Sequence, residues 1–207
     1  YAHKYANAVT EYGMVGSLRH FMPDDGLLST ALTGGRALAT KEVDGIIRIL
    51  IDMEMKMFSG LKTPVIFMQN VFTDLFLGMG FTRIFRTFHD HVVEKYGAEP
   101  AYITMNMPML LAALESEGIE RPIICANINK IGFRMSGGFD AYLDALKSGR
   151  VRAVAMSVYA SGALPPDEAI HWVSELPGVE SIVFGASSAA NIRSTKALVD
   201  RYMKESA

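Results

Sequence analysis

The chain has 207 residues, 50% of them hydrophobic, and a formal net charge of −2. A chain of this length can bury its own core without a disulfide or a structural metal, so we expect one domain over residues 1–207. Lys plus Arg (20) and Asp plus Glu (22) nearly balance and form no basic stripe, which argues against nucleic acid as a partner. The apolar runs are short, none near the ~20 residues that cross a bilayer, so we expect no membrane association.

The first third of the chain is the least regular. Residues 13–18 are a candidate strand, and apolar residues at helical spacing from Val43 to Met57 predict a long helix with Thr40 as its N-cap. Residues 19–39 between them form a long loop, and loops of this length in compact domains often carry function. The first residue is not a methionine, and we expect that further βα units precede Tyr1 in the gene product.

From residue 61 onward, short runs rich in β-branched residues alternate with amphipathic stretches of helical period, the pattern of βα units on a parallel sheet. The predicted strands are residues 64–69, 101–105, 122–128, 151–158 and 181–184. A predicted helix follows each strand, and the ends of the first four helices are expected at Gly97, Gly118, Gly149 and just before Pro177. We expect the last helix to turn Ile192, Thr195, Val199 and Tyr202 inward.

With residues 13–18 included, this pattern gives six βα units. The commonest all-parallel barrel has eight, in ~250 residues. The fold is therefore α/β, either a parallel (β/α)8 TIM-type barrel without its first two βα units or an open doubly wound sheet. The single cysteine, Cys125, lies in an apolar run, which leaves no disulfide framework and favours a reducing cytoplasm.

In both architectures, ligands bind beyond the carboxyl ends of the strands. The polar or small residues at those positions are Arg19, His20, Gln69, Asn70, Asn106, Asn127, Asn129, Lys130, Ser157, Tyr159, Gly185, Ser187 and Ser188. Amides and hydroxyls dominate and no Asp or Glu is present, which argues against a carboxylate-bound metal and against hydrolysis by paired carboxylates. His89 and His91 are two residues apart on a predicted helix and so do not share a face. We therefore expect no metal.

The sharpest local signal is the small-residue turn of Gly185, Ala186, Ser187 and Ser188 before the last helix. Backbone N–H groups in such a turn can approach a phosphate at the positive end of the helix dipole, and Arg193 adds charge. The structural alternative is that Ser188 is only an N-cap and Gly185 only permits a tight turn.

Two residues are candidates for chemistry at the strand ends. Lys130 would suit Schiff-base formation if it were partly desolvated, and the alternative is a solvated loop lysine. Tyr159 is a candidate proton donor or stacking face, and the alternative is packing at the rim.

Three motifs resemble one known family: AMSVYASG at residues 155–162, PPDEAI at 165–170, and the more specific LPGVESIVFGASS at 176–188. Over residues 106–195, the chain resembles the C-terminal half of the aldo/keto reductase superfamily, particularly its microbial branch. The resemblance implies a (β/α)8 barrel reductase that holds NADP at the strand ends.

Matched by position, the resemblance gives Asn106 the role of the amide that binds the nicotinamide carboxamide, and it places Ser187 and Ser188 on the phosphate side. Gln69 stands where the family has its catalytic histidine. The remaining candidate cofactor-binding residues are Asn129, Ser157, Gly185, Ala186 and Arg193. Four other positions depart from the family: Met156 replaces a stacking tyrosine, Cys125 lies near a carboxamide-binding glutamine, and Ser194 with Thr195 replaces an adenine-contacting pair.

The sequence leaves three functional hypotheses. The first is an NAD(P)H-dependent oxidoreductase of aldo/keto reductase type, or a relative that still binds the cofactor. The second is a Schiff-base lyase or isomerase that acts on a phosphorylated substrate through Lys130. The third is a non-catalytic binding or assembly protein, because Gln69 replaces the histidine and no proton donor is matched.

A small-molecule substrate is the expected partner. The Met and Phe residues of 72–81 are candidates for a homo-oligomer interface, a lid or plain core.

Overall fold

A computed structural model describes residues 41–203, with side chains from residue 44 onward. The chain divides into two compact units, residues 1–49 and 50–207. Of the first unit, only the beginning of helix α1 (Lys41–Met55) is described. The strand predicted at 13–18, the loop at 19–39 with Arg19 and His20, and the N-cap Thr40 all lie outside the described residues. The single domain expected from length stays a prediction.

The second unit is built on a parallel sheet of five strands. The strands are β1 (Val65–Met68), β2 (Glu99–Thr104), β3 (Ile123–Asn127), β4 (Arg152–Met156) and β5 (Val179–Ile182). Each strand pairs in parallel with the next one along the chain. All five predicted strands are confirmed, although β5 begins and ends two residues before the predicted range of 181–184.

Helices connect these strands. They are α2 (Asn70–Gly78), α3 (Arg83–His91), α4 (Met107–Ser116), α5 (Phe139–Lys147), α6 (Pro166–Ser174) and α7 (Ala189–Tyr202). A π-helical turn, Val92–Tyr96, continues α3, and Gly97 ends it in the left-handed conformation with a φ of 58°. This C-cap was predicted, and glycine adopts the conformation without a Cβ penalty. None of the helices within residues 41–203 is long and apolar enough to cross a membrane.

Two helical segments differ from the prediction. Helix α2 was not predicted, and it buries Thr73, Phe76 and Leu77, so part of the segment considered as an interface belongs to the core. In α7, Ile192 was expected to face inward but is 50% exposed, whereas Thr195 is buried as expected. The inward face of α7 is therefore narrower than its sequence period suggests.

The two faces of the sheet differ in their surroundings. Because crossovers between parallel strands are right-handed, the sequential strand order places the linking helices on one face. On that face Tyr102 is fully buried, packs edge-on against Phe85 and Phe88, and donates a hydrogen bond to the Phe85 carbonyl. On the opposite face Phe67 of β1 is exposed and Val154 of β4 is half-buried. Among the described strands, the edge strands β1 and β5 do not pair with each other.

Candidate ligand-binding site at the strand ends

A cavity of about 450 Å³ opens at the carboxyl ends of β4 and β5. The size is within the range of ~300–1,000 Å³ that is typical of small-molecule sites. Its polar lining comes from Arg134, Ser157, Tyr159 and Ser161. Its apolar walls include Phe133, Val158, Ile170 and Phe184. The cavity is therefore an open cleft that offers one cation and several hydroxyls beside apolar walls.

The backbone around this cavity is strained. Arg134, Ser157, Ala160 and Ser161 have φ values of 55°, 54°, 47° and 62°, a region that non-glycine residues rarely occupy. Among the described residues, Arg121 alone shares this feature elsewhere. Each such residue costs about 1–3 kcal/mol, and such residues cluster at binding and active sites. The strain is thus concentrated in the two loops that line the cavity.

Arg134 and Arg121 lack a carboxylate partner among residues 44–203, in contrast to two other arginines near the sheet. Arg150 and Arg152 bind glutamates, with Nη1 of Arg150 lying 2.7 Å from an oxygen of Glu115. Within residues 44–203, no carboxylate pairs with Arg134, whose guanidinium carbon lies 5.2 Å from the ring centre of Phe133. A guanidinium without a carboxylate partner can form two parallel hydrogen bonds with a phosphate or carboxylate.

Two buried amides hold the loop that carries Arg134. The Asn127 side chain donates a hydrogen bond from Nδ2 to the Arg134 carbonyl (3.0 Å). The Asn129 side chain donates to the Phe133 carbonyl (2.9 Å) and accepts from the Phe133 N–H (2.7 Å). Asn129 was predicted to bind a cofactor, but in this arrangement its amide bonds the loop backbone and does not line the cavity.

The amide expected to bind a nicotinamide is also engaged locally. Asn106 is the N-cap of α4 and accepts a hydrogen bond from the Met109 N–H (3.3 Å). The position a Cβ on Gly137 would take lies 2.7 Å from Asn106 Oδ1, so Gly137 passes close to this amide. Gln69, the residue at the position of the family's histidine, is exposed at the start of α2. Neither Asn106 nor Gln69 lines the cavity.

Lys130 lies in a solvated environment. Its Nζ is 2.7 Å from Oε1 of Glu168, and both side chains are 45% exposed. Schiff-base chemistry needs a desolvated amine without a carboxylate partner, so this geometry matches the solvated-lysine alternative. Tyr159 lines the cavity and donates a hydrogen bond from its hydroxyl to Oγ1 of Thr195 (3.0 Å).

The small-residue turn at the start of α7 takes the capping geometry expected for Ser188. The Ser188 hydroxyl accepts from the Asn191 N–H (3.2 Å), and the Asn191 side chain donates to the Ser187 hydroxyl (3.1 Å). Gly185 lines the cavity, while Ala186 and Arg193 are exposed and do not. The N-cap interpretation is confirmed, and the phosphate role of the turn stays a prediction.

The chemistry of the ligand is inferred from the residues that line the cavity. No protein-family model matches this chain, and no curated protein or solved structure is significantly similar to it. The aldo/keto reductase resemblance therefore stays a prediction. A guanidinium with no carboxylate partner in the described part of the chain, together with hydroxyls and apolar walls, suits a small molecule with an anionic group.

Two features of the strand ends were missed from the sequence. Asp74 of α2 reaches the end of β2, where it accepts hydrogen bonds from the Thr104 hydroxyl (2.5 Å) and the Met105 N–H (3.1 Å). Burial raises the pKa of Asp74 against the opposing effect of these two bonds. A carboxylate thus does lie at this edge, contrary to the expectation. The second feature is Arg134, whose signal was the Asn127 and Asn129 pair followed by a glycine-rich loop.

Proposed function

We propose that this chain binds a phosphate-bearing small molecule in the cavity at the ends of β4 and β5. The observation that carries the proposal is the guanidinium of Arg134, which lies on a strained loop and has no carboxylate partner within residues 44–203. The hydroxyls of Ser157 and Ser161 line the same cavity and supply further donors. Arginine with hydroxyl donors is a common phosphate-binding combination.

We also propose that the sheet is an arc of a (β/α)8 barrel. Doubly wound sheets reverse their strand order at a switch point, whereas the five described strands follow in sequence. The face that carries Phe67 and Val154 would then line the barrel interior. In that arrangement β4 and β5 would be the last two strands, where barrels often bind phosphate.

The ligand that the resemblance names is an NADP-type cofactor, and the activity would be hydride transfer. The donors present fit its phosphate groups, which Arg134, Ser157 and Ser161 would hold. When bound, such a cofactor supplies a hydride, and Phe184 and Val158 would exclude water from that part of the cavity. Tyr159 would need to release its hydrogen bond to Thr195 before it could donate a proton.

A phosphorylated substrate without a dinucleotide is the second candidate. The observation that favours it is that two amides expected to bind the cofactor bond the protein instead. Asn106 caps a helix, and Asn129 bonds the backbone of its own loop. These amides do not contact the cavity, so the described donors recognise a phosphate better than a carboxamide.

The test is calorimetric titration of the full chain with NADPH, NADH, a sugar phosphate and inorganic phosphate. We expect at least one phosphate-bearing probe to bind and Arg134→Ala to weaken it about tenfold to a hundredfold, the worth of a charge-assisted hydrogen bond. Arg121→Ala is the matched control, because Arg121 is also a strained, exposed arginine but does not line the cavity.

Arg193→Ala separates the cavity from the turn before α7. An equal or larger loss with this variant would move the anion site to that turn. Binding of none of the four probes would contradict the proposed function.

A further inference from the structure

The loop between β3 and α5 is attached to the sheet by amides that the proposed function leaves unused. Asn127 is the last residue of β3, and Asn129 follows after Ile128, whose N–H still bonds the Met156 carbonyl of β4 (3.1 Å). Asn127 and Asn129 are 1% and 0% exposed. Buried amides are costly unless they are hydrogen-bonded, so their partners indicate what they hold in place.

Those partners include both residues at the cavity, and Nδ2 of Asn127 also lies 2.9 Å from Sδ of Met105. Asn127 donates to the Arg134 carbonyl, and Asn129 forms a reciprocal pair with the N–H and carbonyl of Phe133. A further bond from the Ser136 N–H to the Met105 carbonyl (3.0 Å) fixes the far side of the loop. The loop between Ile128 and Ser136 is therefore held from two neighbouring strand ends.

The conformation that these bonds hold is an unfavourable one. Arg134 has a φ of 55°, which an arginine adopts only when the surroundings over-determine it. A loop backbone fixed before the ligand arrives gives up less freedom on binding, which raises affinity.

We propose that Asn127 and Asn129 are positioning residues for anion recognition. They hold Phe133 and Arg134 so that the guanidinium faces the cavity before a ligand binds. The inference rests on the proposed function for its ligand, but the loop attachment itself can be measured without one.

The first measurement is hydrogen exchange in the full chain without ligand. Asn127→Leu removes the amide at nearly constant volume, and we expect about tenfold faster exchange at the amides of 133–136, with α4 and β2 unchanged. Thr73→Val is the matched control, because Thr73 is also buried and its hydroxyl donates to the Gln69 carbonyl (3.1 Å) far along the chain from this loop. Unchanged exchange in the loop of the Asn127 variant would overturn the inference.

The second measurement is a double-mutant cycle on affinity for the tightest of the phosphate-bearing probes. We expect Asn127→Leu to weaken binding about tenfold alone, and to add nothing in the presence of Arg134→Ala, because it acts through that guanidinium. Additive losses would overturn the positioning role, since a purely structural residue affects both backgrounds alike. Thr73→Val should lower stability without changing affinity.

If the Asn127→Leu chain does not fold, Asn127→Asp keeps the size and replaces the donor with an acceptor, and the same exchange and cycle criteria apply. If exchange rises in the variant while the wild-type chain binds no probe, the proposed function fails and the positioning role for anion recognition fails with it.

Discussion

Arg134 occupies a backbone conformation that glycine would adopt at lower cost. Strained residues cluster at binding sites, and the proposed function assigns the strain at Arg134, which lines the cavity, to anion binding. Ser157 and Ser161 have the same property in the neighbouring loop. At the scale of single residues, we therefore expect a substitution that relieves the positive φ of Arg134 to affect stability and ligand binding in opposite directions.

Arg134→Gly tests this opposition. We expect the free energy of unfolding to rise or hold within ~1 kcal/mol, because glycine relieves the positive φ, while affinity for the phosphate-bearing probe falls. Urea unfolding and calorimetric titration measure the two quantities. Arg121→Gly is the control at a φ of 45° outside the cavity, and it should change stability in the same direction and leave affinity unchanged. Loss of affinity in both variants, or in neither, would contradict the assignment of Arg134.

Single residues were only partly predictable from the sequence. The cap at Ser188 follows from a local rule, and the structure confirms it. The partners of the Asn129 and Lys130 side chains depend on loop conformations that the sequence pattern does not predict. Asn129 bonds the backbone of its own loop, and Lys130 pairs with Glu168, 38 residues away. Residues directly after a strand were favoured as site residues, which overlooked Arg134, seven residues beyond the last residue of β3.

At the scale of elements, one carboxylate joins two helical segments. Asp52 of α1 accepts hydrogen bonds from His91 (2.8 Å), Lys95 (2.6 Å) and Tyr96 (2.6 Å), the last two of which lie in the π-helical turn. Partial burial raises the pKa of Asp52, but these hydrogen bonds outweigh that effect and hold the pKa well below its ordinary value. Burial, together with the hydrogen bond to Asp52, raises the pKa of Tyr96 to about 12.

This cluster gives stability that depends on pH. Because the folded-state pKa of Asp52 lies below its ordinary value of 3.8, the contribution is complete above that value and is lost as the pH falls through the acid range. We expect Asp52→Asn to cost ~1–3 kcal/mol at neutral pH and progressively less below the ordinary pKa, measured by urea unfolding at a series of pH values. Asp144→Asn, at an exposed position of α5, is the control and should cost less than ~0.5 kcal/mol. A cost for Asp52→Asn that stays constant into acid would contradict the role of the carboxylate charge.

Elements were more predictable than residues, and the two errors have physical causes. Helix α2 was missed because apolar side chains occur around most of its surface, so no amphipathic period marks it. Strand β5 begins before the predicted position because its pairing with β4 starts at Val179, before the apolar run from which the strand was predicted. That pairing includes a register shift between Ala153 and Val154 of β4. Strands β2 and β3, most of whose residues are buried, were predicted within two residues at each end.

At the scale of the molecule, the sheet brings residues from distant parts of the chain to one edge. The sequence predicted that edge as the ligand-binding region, and Ser157, Tyr159 and Gly185 do line the cavity there. It could not predict which loops close over the edge, because that depends on the tertiary contacts of Asn127 and Asn129. The sequential strand order, which the repeat pattern left open, comes from the structure.

The most direct test of the central claim is an assigned amide spectrum of the full chain during titration with NADPH and with a sugar phosphate. We expect shift changes that saturate and that cluster in residues 131–136, 156–162 and 183–186, the three segments around the cavity. Changes grouped instead at the amino ends of the strands, near residues 97–99 and 149–152, would contradict the claim, as would the absence of any change with both ligands.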